Sequence, residues 1–181
     1  MKKVKCAVVG TGIFGEIHVH TYSTYEKAEL LMICDLNEKR ATEISKKYGV
    51  RYTTDYNEIA ENDEIEAVSV ATPDFAHKDI VVKMLENGKH VLVEKPISDN
   101  MKDAEKMVKK AKKALKTGGW LVVYSPHIEQ VKAVKEEMIK NGFKDIETIE
   151  VIKRKWKVDN FTHPVPSGIL HTGFMTFARK I

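Results

Sequence analysis

The stretch VKCAVVGTGIFG at residues 4–15 decides the fold. Its first half is an apolar run that ends in glycine, which is typical of a buried β-strand. Its second half fits the pattern G-x-G-x-x-G, and we expect a helix to begin at Gly12 and to continue to about Tyr25. In such a unit the first glycine makes a tight turn, the second lets the backbone approach a pyrophosphate, and the third allows the helix to pack against the strand. The stretch therefore predicts a nucleotide-binding turn.

An acidic residue stands where such a turn uses one. Asp35 ends the next predicted strand, 20 residues after Gly15. Its carboxylate can accept hydrogen bonds from ribose hydroxyls and would repel a 2′-phosphate, which favours NAD over NADP. Arg40, one helical turn further on, would moderate that preference. Two alternatives stay open: S-adenosylmethionine also binds such turns, and a glycine-rich turn can bind nothing, with Asp35 as a strand-end cap.

The rest of the chain repeats the alternation of strand and helix. This pattern predicts one α/β domain over residues 1–181, with three layers and a doubly wound, mostly parallel sheet of about eight strands. The segments Ile146–Val158 and Thr172–Ala178 have no helix between them, so we expect a final antiparallel pair at one edge. A length of 181 residues allows one such domain and not two.

Composition excludes several other classes. Hydrophobic residues make up 43% and charged residues 31% of the chain, ordinary values for a globular protein, which excludes disorder and collagen-like repeats. No run approaches about 18 apolar residues, so no membrane span is expected. Cys6 and Cys34 are too few for a disulfide scaffold. We expect buried, reduced thiols, a cytoplasmic protein and no metal site.

The charge is unevenly distributed. Residues 1–100 hold 13 Lys and Arg against 17 Asp and Glu, whereas residues 101–181 hold 17 against 9. A basic half can indicate a nucleic-acid surface, but a lysine-rich helix face is more often simply solvated. An RNA-binding protein is therefore an alternative and not the main prediction.

Two further motifs carry a family resemblance. ATPDFAH at residues 71–77 and GKHVLVEKP at residues 88–96, together with the glycine turn, resemble the N-terminal Rossmann domain of the Gfo/Idh/MocA oxidoreductases over residues 1 to about 110. The resemblance implies NAD(P) binding, with the Thr72-Pro73 loop and His77 along the cofactor and Glu94 near the nicotinamide. The predicted cofactor-binding residues are Gly10, Thr11, Gly12, Ile13, Phe14, Gly15, Asp35, Leu36, Arg40, Ala71, Thr72, Pro73, His77, Glu94 and Lys95.

Lys95 is the catalytic candidate, because it matches the family's lysine that helps to orient cofactor and substrate in hydride transfer. The alternatives are that Lys95 is a solvated strand-end lysine and that His77 faces a helix groove. Members of the family continue into a second α/β domain with the substrate pocket, and the 85 residues after Pro96 could not hold it. We therefore expect a dinucleotide-binding module without efficient turnover, since hydride transfer needs a substrate held in near-attack geometry. A minimal NAD-dependent oxidoreductase of a sugar or polyol, completed by oligomerisation, is the alternative.

The last 70 residues or so contain the motifs GGWLVVYSP at residues 118–126, IEQV at 128–131, HTGF at 171–174 and FARK at 177–180. These motifs resemble a different family, the tRNA (adenine-N1)-methyltransferases, which are class I enzymes dependent on S-adenosylmethionine. There the corresponding strands are the fifth to seventh of the sheet, and the seventh runs antiparallel. The methyltransferase's own cofactor turn and acidic catalytic loop have no counterpart, so binding of S-adenosylmethionine is not expected.

A chimera explains both resemblances. It would combine an oxidoreductase-like segment, residues 1–112, with a methyltransferase-like segment, residues 113–181. The join would lie within Lys109–Lys116, in a helix that packs on a parallel sheet in both parent folds. The basic second half would then come from an RNA-modifying enzyme.

Overall fold

The computed structural model describes residues 2–97, 101–125, 128–151, 156–157, 163–164 and 173–181. The chain divides into two compact units, residues 1–114 and 115–181. The boundary between them falls inside the Lys109–Lys116 interval predicted for the join. Within the described ranges, no helix has the length and apolar character needed to cross a membrane.

Strands and helices alternate along the first unit, and local signals begin and end its helices. The Asn37 side chain accepts a hydrogen bond from the Arg40 N–H at the start of the second helix, which ends at Gly49 with a φ of +67°. The Asp55 side chain caps the third helix in the same way. The elements are β1 (Val4–Val9), α1 (Ile13–Thr24), β2 (Ala28–Cys34), α2 (Glu38–Tyr48), β3 (Arg51–Thr53), α3 (Tyr56–Glu61), β4 (Ala67–Val70), α4 (Asp74–Glu86), β5 (His90–Val93) and α5 (Met101–Ala114).

The five strands form one parallel sheet in the order β3-β2-β1-β4-β5. The chain order reverses direction between β1 and β4, which is where ligands bind in doubly wound sheets. In the register, Val9 lies opposite Cys34 on one side and Val70 on the other, and Val70 lies opposite Val93. The residues that follow these four strands therefore leave the sheet at the same edge.

Both faces of this sheet are buried. Ala7 and Val9 point into one apolar cluster, which includes residues of α3, α4 and α5. Val8, between them, points into a second cluster with residues of α1 and α2. Because successive side chains alternate between faces, this burial produces three layers and accounts for the continuous apolar run of β1.

The two cysteines lie on adjacent strands, β1 and β2, and both thiols are free and buried. Burial, followed by the nearby Asp35 carboxylate, raises the pKa of Cys34 to about 12. Burial also raises the pKa of Cys6 above its ordinary value. Both side chains therefore behave as apolar core groups and not as nucleophiles.

The second unit has a sheet of its own. Its strands run in the order β6-β10-β7, and β10 is antiparallel to both neighbours. The predicted antiparallel pairing of the last two β-rich segments is confirmed, because β10 pairs with β7 from Gly173↔Val151 to Arg179↔Lys144. The elements are β6 (Trp120–Ser125), α6 (Ile128–Lys140), β7 (Lys144–Val151), β8 (Trp156–Lys157), β9 (His163–Pro164) and β10 (Gly173–Arg179).

One expectation about the sheet is corrected. The described strands do not form a single sheet of about eight, because β6, β7 and β10 make a sheet separate from the parallel one. An alternating strand and helix pattern shows which segments are strands, but it does not encode which strands pair. The α/β fold and its parallel sheet are confirmed.

Candidate functional site

The glycine turn is shaped by close backbone approaches at its two ends. Gly10 has a φ of +87°, and a methyl group there would lie 2.8 Å from backbone atoms of Ala71 and Thr72. A methyl group on Gly15 would overlap the carbonyl oxygen of Gly10. At Gly12 the same group would meet no atom within 4 Å. The first and third glycines thus serve the fold, whereas the second leaves an open space beside the backbone.

That open space lies at the start of α1. Gly12 is the N-cap residue, and no side chain caps the helix. The first N–H groups of a helix have no intrahelical acceptor, and the helix dipole adds positive potential there. Ile13 and Phe14, in this first turn, are exposed. The turn therefore presents backbone donors to an anion, as the G-x-G-x-x-G pattern predicts.

Asp35 holds the turn in place as well as facing the edge of the sheet. Its Oδ2 accepts two hydrogen bonds of 2.8 Å from Thr11, one from the backbone N–H and one from the hydroxyl. Its Oδ1 accepts a bond of 2.9 Å from the N–H of Asn37. Thr11 is fully buried, whereas the following Leu36 is 86% exposed. Because each carboxylate oxygen can accept two bonds, Oδ1 keeps acceptor capacity for a ligand.

Arg40 stabilises the other side of Thr11. Its Nε donates a hydrogen bond of 2.8 Å to the Thr11 carbonyl oxygen, and its terminal nitrogens pair with Glu16 and Glu43. Hydrogen bonds from Lys47 and then from Arg40 lower the pKa of Glu16 below its ordinary value. The guanidinium is thus bound by two carboxylates and a carbonyl group. The sequence does not predict these partners.

The loop after β4 packs directly on the glycine turn. The N–H of Ala71 donates to the carbonyl of Val9, and that of Glu94 donates to the carbonyl of Val70. Among the described residues, the Thr72 hydroxyl is the one buried side-chain polar atom without a hydrogen-bond partner. The four strand ends therefore meet at one edge, with Pro73 exposed there.

His77 lies beneath this edge and is 1% exposed. Its Nε2 is 2.8 Å from the carbonyl oxygen of Thr72, and its Nδ1 is 3.0 Å from that of Pro96. The ring therefore connects the loop after β4 with the loop after β5, and no ring nitrogen is left to face a ligand. The ring is thus buried between these two loops, and its position along a cofactor stays a prediction.

Glu94 and Lys95 reach the first helix. The Glu94 side chain is 28% exposed and contacts His18 of α1. Lys95 is exposed, and its Nζ lies 5.6 Å from the centroid of the Phe14 ring. The lysine predicted to orient cofactor and substrate is therefore beside the glycine turn. Among the described residues, no group of three or more His, Cys, Asp or Glu side chains could hold a metal ion.

Sequence reasoning missed two residues of this edge, Glu16 and His18. A signal for His18 was present, because Phe14, His18 and Tyr22 recur at intervals of four and so share one face of α1. The partners of that face could not be read from the sequence.

Comparison with known proteins identifies relatives of this fold. Residues 4–120 match the model of the Gfo/Idh/MocA family, described as an oxidoreductase family with an NAD-binding Rossmann fold. The chain is 33% identical over 109 residues to 4-carboxy-2-hydroxymuconate-6-semialdehyde dehydrogenase of Sphingobium sp. (strain NBRC 103272 / SYK-6), covering 60% of this chain and 35% of that protein. Among solved structures, GenD2 from gentamicin A biosynthesis in complex with NAD superposes with a TM-score of 0.60 at 29% identity, covering 63% of this chain and 33% of that one.

A longer alignment crosses both units. The inositol 2-dehydrogenase of Rubrobacter xylanophilus is 30% identical over 179 residues, which covers 92% of this chain and 52% of that protein. The chain therefore spans between about a third and about half of the length of these curated relatives. A match over 92% of the chain also includes the interval predicted for a join, so the similarity to oxidoreductases does not stop there.

Proposed function

Since this chain belongs to the Gfo/Idh/MocA family of oxidoreductases, whose NAD-binding Rossmann fold matches residues 4–120, we propose that it binds NAD at the carboxyl ends of β1, β2, β4 and β5. The pyrophosphate lies against the N–H groups that open α1, in the space beside Gly12. The observation that carries the proposal is the register, which brings the glycine turn, Asp35, Ala71 and Glu94 to one edge of the sheet. Ile13, Phe14 and Thr11 line or support the same turn.

Asp35 and Arg40 support a preference for NAD over NADP. The free acceptor capacity on Asp35 Oδ1 suits a ribose hydroxyl, and its negative charge opposes a 2′-phosphate. Arg40 does not offset that charge for a ligand, because Glu16 and Glu43 already hold its guanidinium. Leu36, exposed next to Asp35, offers an apolar surface to the adenosine end.

At the other end of the site, Ala71, Thr72, Pro73, Glu94 and Lys95 surround the position that the family resemblance implies for the nicotinamide. Bound NAD would supply the nicotinamide ring that accepts a hydride at this position. Lys95 contributes a positive charge that orients cofactor and substrate, and His77 supports both loops from below.

Turnover is a second part of the proposal. We propose that this chain binds NAD without efficient turnover, because hydride transfer requires a substrate held in near-attack geometry and Lys95 is its single catalytic candidate. The alternative is an oligomeric oxidoreductase of a sugar or polyol, which the relative named inositol 2-dehydrogenase supports. NADH formation from NAD and myo-inositol, followed at 340 nm, would favour that alternative.

The binding proposal is tested by thermal melts with NAD, NADP and S-adenosylmethionine in parallel, because a ligand stabilises the folded state that binds it. NAD should raise the melting temperature most, and Asp35→Asn should reduce the difference between NAD and NADP. The matched control is Asp63→Asn, an exposed carboxylate away from the strand ends. No effect of NAD or NADH at millimolar concentration would refute the proposal.

The methyltransferase-like origin of residues 113–181 remains a separate proposal. It is supported by β10, which runs antiparallel to both neighbours as the resemblance implies for a seventh strand. The alignment with inositol 2-dehydrogenase across the join favours a continuous oxidoreductase origin instead. The motif residues His171 and Thr172 lie outside the described residues. Salt-sensitive tRNA binding would support the alternative of a basic RNA-binding protein.

A further inference from the structure

One face of α1 is attached to the ends of β4 and β5. Phe14, His18 and Tyr22 follow each other at intervals of one helical turn. The rings of His18 and Tyr22 meet edge to face, with centroids 6.3 Å apart. The helix that carries the glycine turn therefore also contacts the strand end that carries Glu94 and Lys95.

His18 uses both ring nitrogens in these contacts. Nδ1 lies 2.6 Å from the Ser69 hydroxyl oxygen, and Nε2 lies 2.9 Å from Glu94 Oε1. With an ionised carboxylate at Nε2, that nitrogen donates and Nδ1 accepts from Ser69, so the two partners select one tautomer and one ring orientation. Ser69 is 1% exposed, and the His18 side chain is 14% exposed.

The contact fixes Glu94 within a larger set of bonds. The second carboxylate oxygen of Glu94 accepts from the N–H of Lys95 at 3.3 Å, and the Lys95 ammonium lies over the Phe14 ring. The Glu94-Lys95 dipeptide is thus connected to α1 at two points, His18 and Phe14. Movement of the Glu94 carboxylate away from His18 would break one of these two connections.

We propose that His18 is a positioning residue of the cofactor site: it holds Glu94, and with it the Glu94-Lys95 dipeptide, at the nicotinamide end. This inference rests on the proposed NAD site. His18 affects only the nicotinamide end of that site, because the glycine turn and Asp35 hold the ADP-ribose part of the cofactor without help from His18.

The test compares two ligands on three variants of the full chain. ADP-ribose lacks the nicotinamide, so its affinity reports the turn and Asp35, whereas NADH affinity reports both ends. His18→Asn keeps a polar atom near the position of Nδ1 and cannot reach Glu94, whereas His18→Gln extends an amide to the position of Nε2. His20→Asn is the matched control, because His20 is exposed and lies on the same helix. Both dissociation constants are measured by isothermal titration calorimetry, and circular dichroism melts verify folding.

We expect His18→Asn to weaken NADH binding about tenfold, because NADH must then order the released Glu94-Lys95 dipeptide at a cost of about 1.4 kcal/mol, and to change ADP-ribose binding less than about twofold. His18→Gln should keep NADH affinity within about threefold of wild type, and His20→Asn should change neither affinity. Unchanged NADH binding in His18→Asn, or equal losses for both ligands, would overturn the inference. A purely structural role would produce those equal losses.

If His18→Asn does not fold, Glu94→Gln tests the same positioning role. Glu94→Gln should weaken NADH more than ADP-ribose, and an unchanged ratio of the two affinities in that variant would overturn the inference. Wild-type protein that binds neither ligand would refute the proposed function itself. Wild-type protein that binds both, with a ratio insensitive to His18 and Glu94, would refute the positioning role alone.

Discussion

Gly12→Ala separates the requirements of the fold from those of the ligand. The added methyl group meets no protein atom within 4 Å. The backbone at Gly12, with a φ of −62° and a ψ of −164°, is in a region that alanine can adopt. The unliganded chain should therefore fold normally, and the methyl group should occupy the space proposed for the pyrophosphate.

The structure allows the two effects to be given magnitudes. Alanine in place of glycine at a helix N-cap costs about 0.5–1 kcal/mol, which lowers the melting temperature by about 1–4 °C for a chain of this size. For the complex, the methyl group prevents at least one charge-assisted hydrogen bond between the turn and a phosphate oxygen. Such a bond contributes about 1.5–3 kcal/mol, so NADH affinity should fall by about 10- to 150-fold.

The assay is an NADH fluorescence titration together with thermal melts of the unliganded variants. Gly15→Ala is the matched comparison, because its methyl group overlaps the Gly10 carbonyl oxygen and should destabilise the unliganded fold by about 1–3 kcal/mol. A Gly12→Ala protein that binds NADH as tightly as wild type would refute the placement of the pyrophosphate. A large loss of stability in that variant would refute the statement that the space is open.

Three further substitutions test the surroundings of the site. Thr11→Val removes one of the two hydrogen bonds to Asp35 and should lower the free energy of unfolding by about 1–2 kcal/mol in denaturant titrations; no change would mean that the backbone N–H alone holds the carboxylate. Cys34 has a folded pKa of about 12 against an ordinary value of 9.0, so its contribution to stability is complete below pH 9 and is lost as the pH rises toward 12. Cys34→Ala should therefore lessen the alkaline fall in unfolding free energy by up to about 1.4 kcal/mol per pH unit, and equal slopes in variant and wild type would contradict the raised pKa. His77→Phe removes the ring nitrogens that lie within hydrogen-bond distance of the carbonyl oxygens of Thr72 and Pro96, and should cost about 1–3 kcal/mol in thermal or denaturant unfolding, whereas an unchanged melt would show that water replaces the ring.

The parts of the site that are local in sequence could be predicted. Gly10, Gly12 and Gly15 act within one turn, so their spacing alone predicts their roles. Gly10 adopts a positive φ, Gly12 leaves space beside the backbone, and Gly15 allows the helix to pack closely. The place of Asp35 could be predicted because it directly follows the next strand, and parallel strands end at the same edge of a sheet.

The parts that depend on distant partners could not be predicted. Arg40 was expected to influence the choice between NAD and NADP, but Glu16, 24 residues earlier, already binds it. His77 sits in a motif, yet only the carbonyl groups of residues 72 and 96 show that it faces inward. Likewise, the pairing of β10 with β6, in a sheet separate from the parallel one, depends on edges that no local pattern encodes.

The shared register of four strands has a consequence for the lifetime of the chain. The proposed site combines residues from positions 10 to 94, and it exists only when β1, β2, β4 and β5 are aligned. A slip of one residue in β4 would turn its side chains to the opposite face and remove Ala71 from the turn. Cofactor would then bind only chains in which all four strands are aligned, so a higher cofactor concentration would increase the fraction of folded chains. Bound cofactor should therefore slow unfolding and proteolysis only in chains whose four strands are aligned.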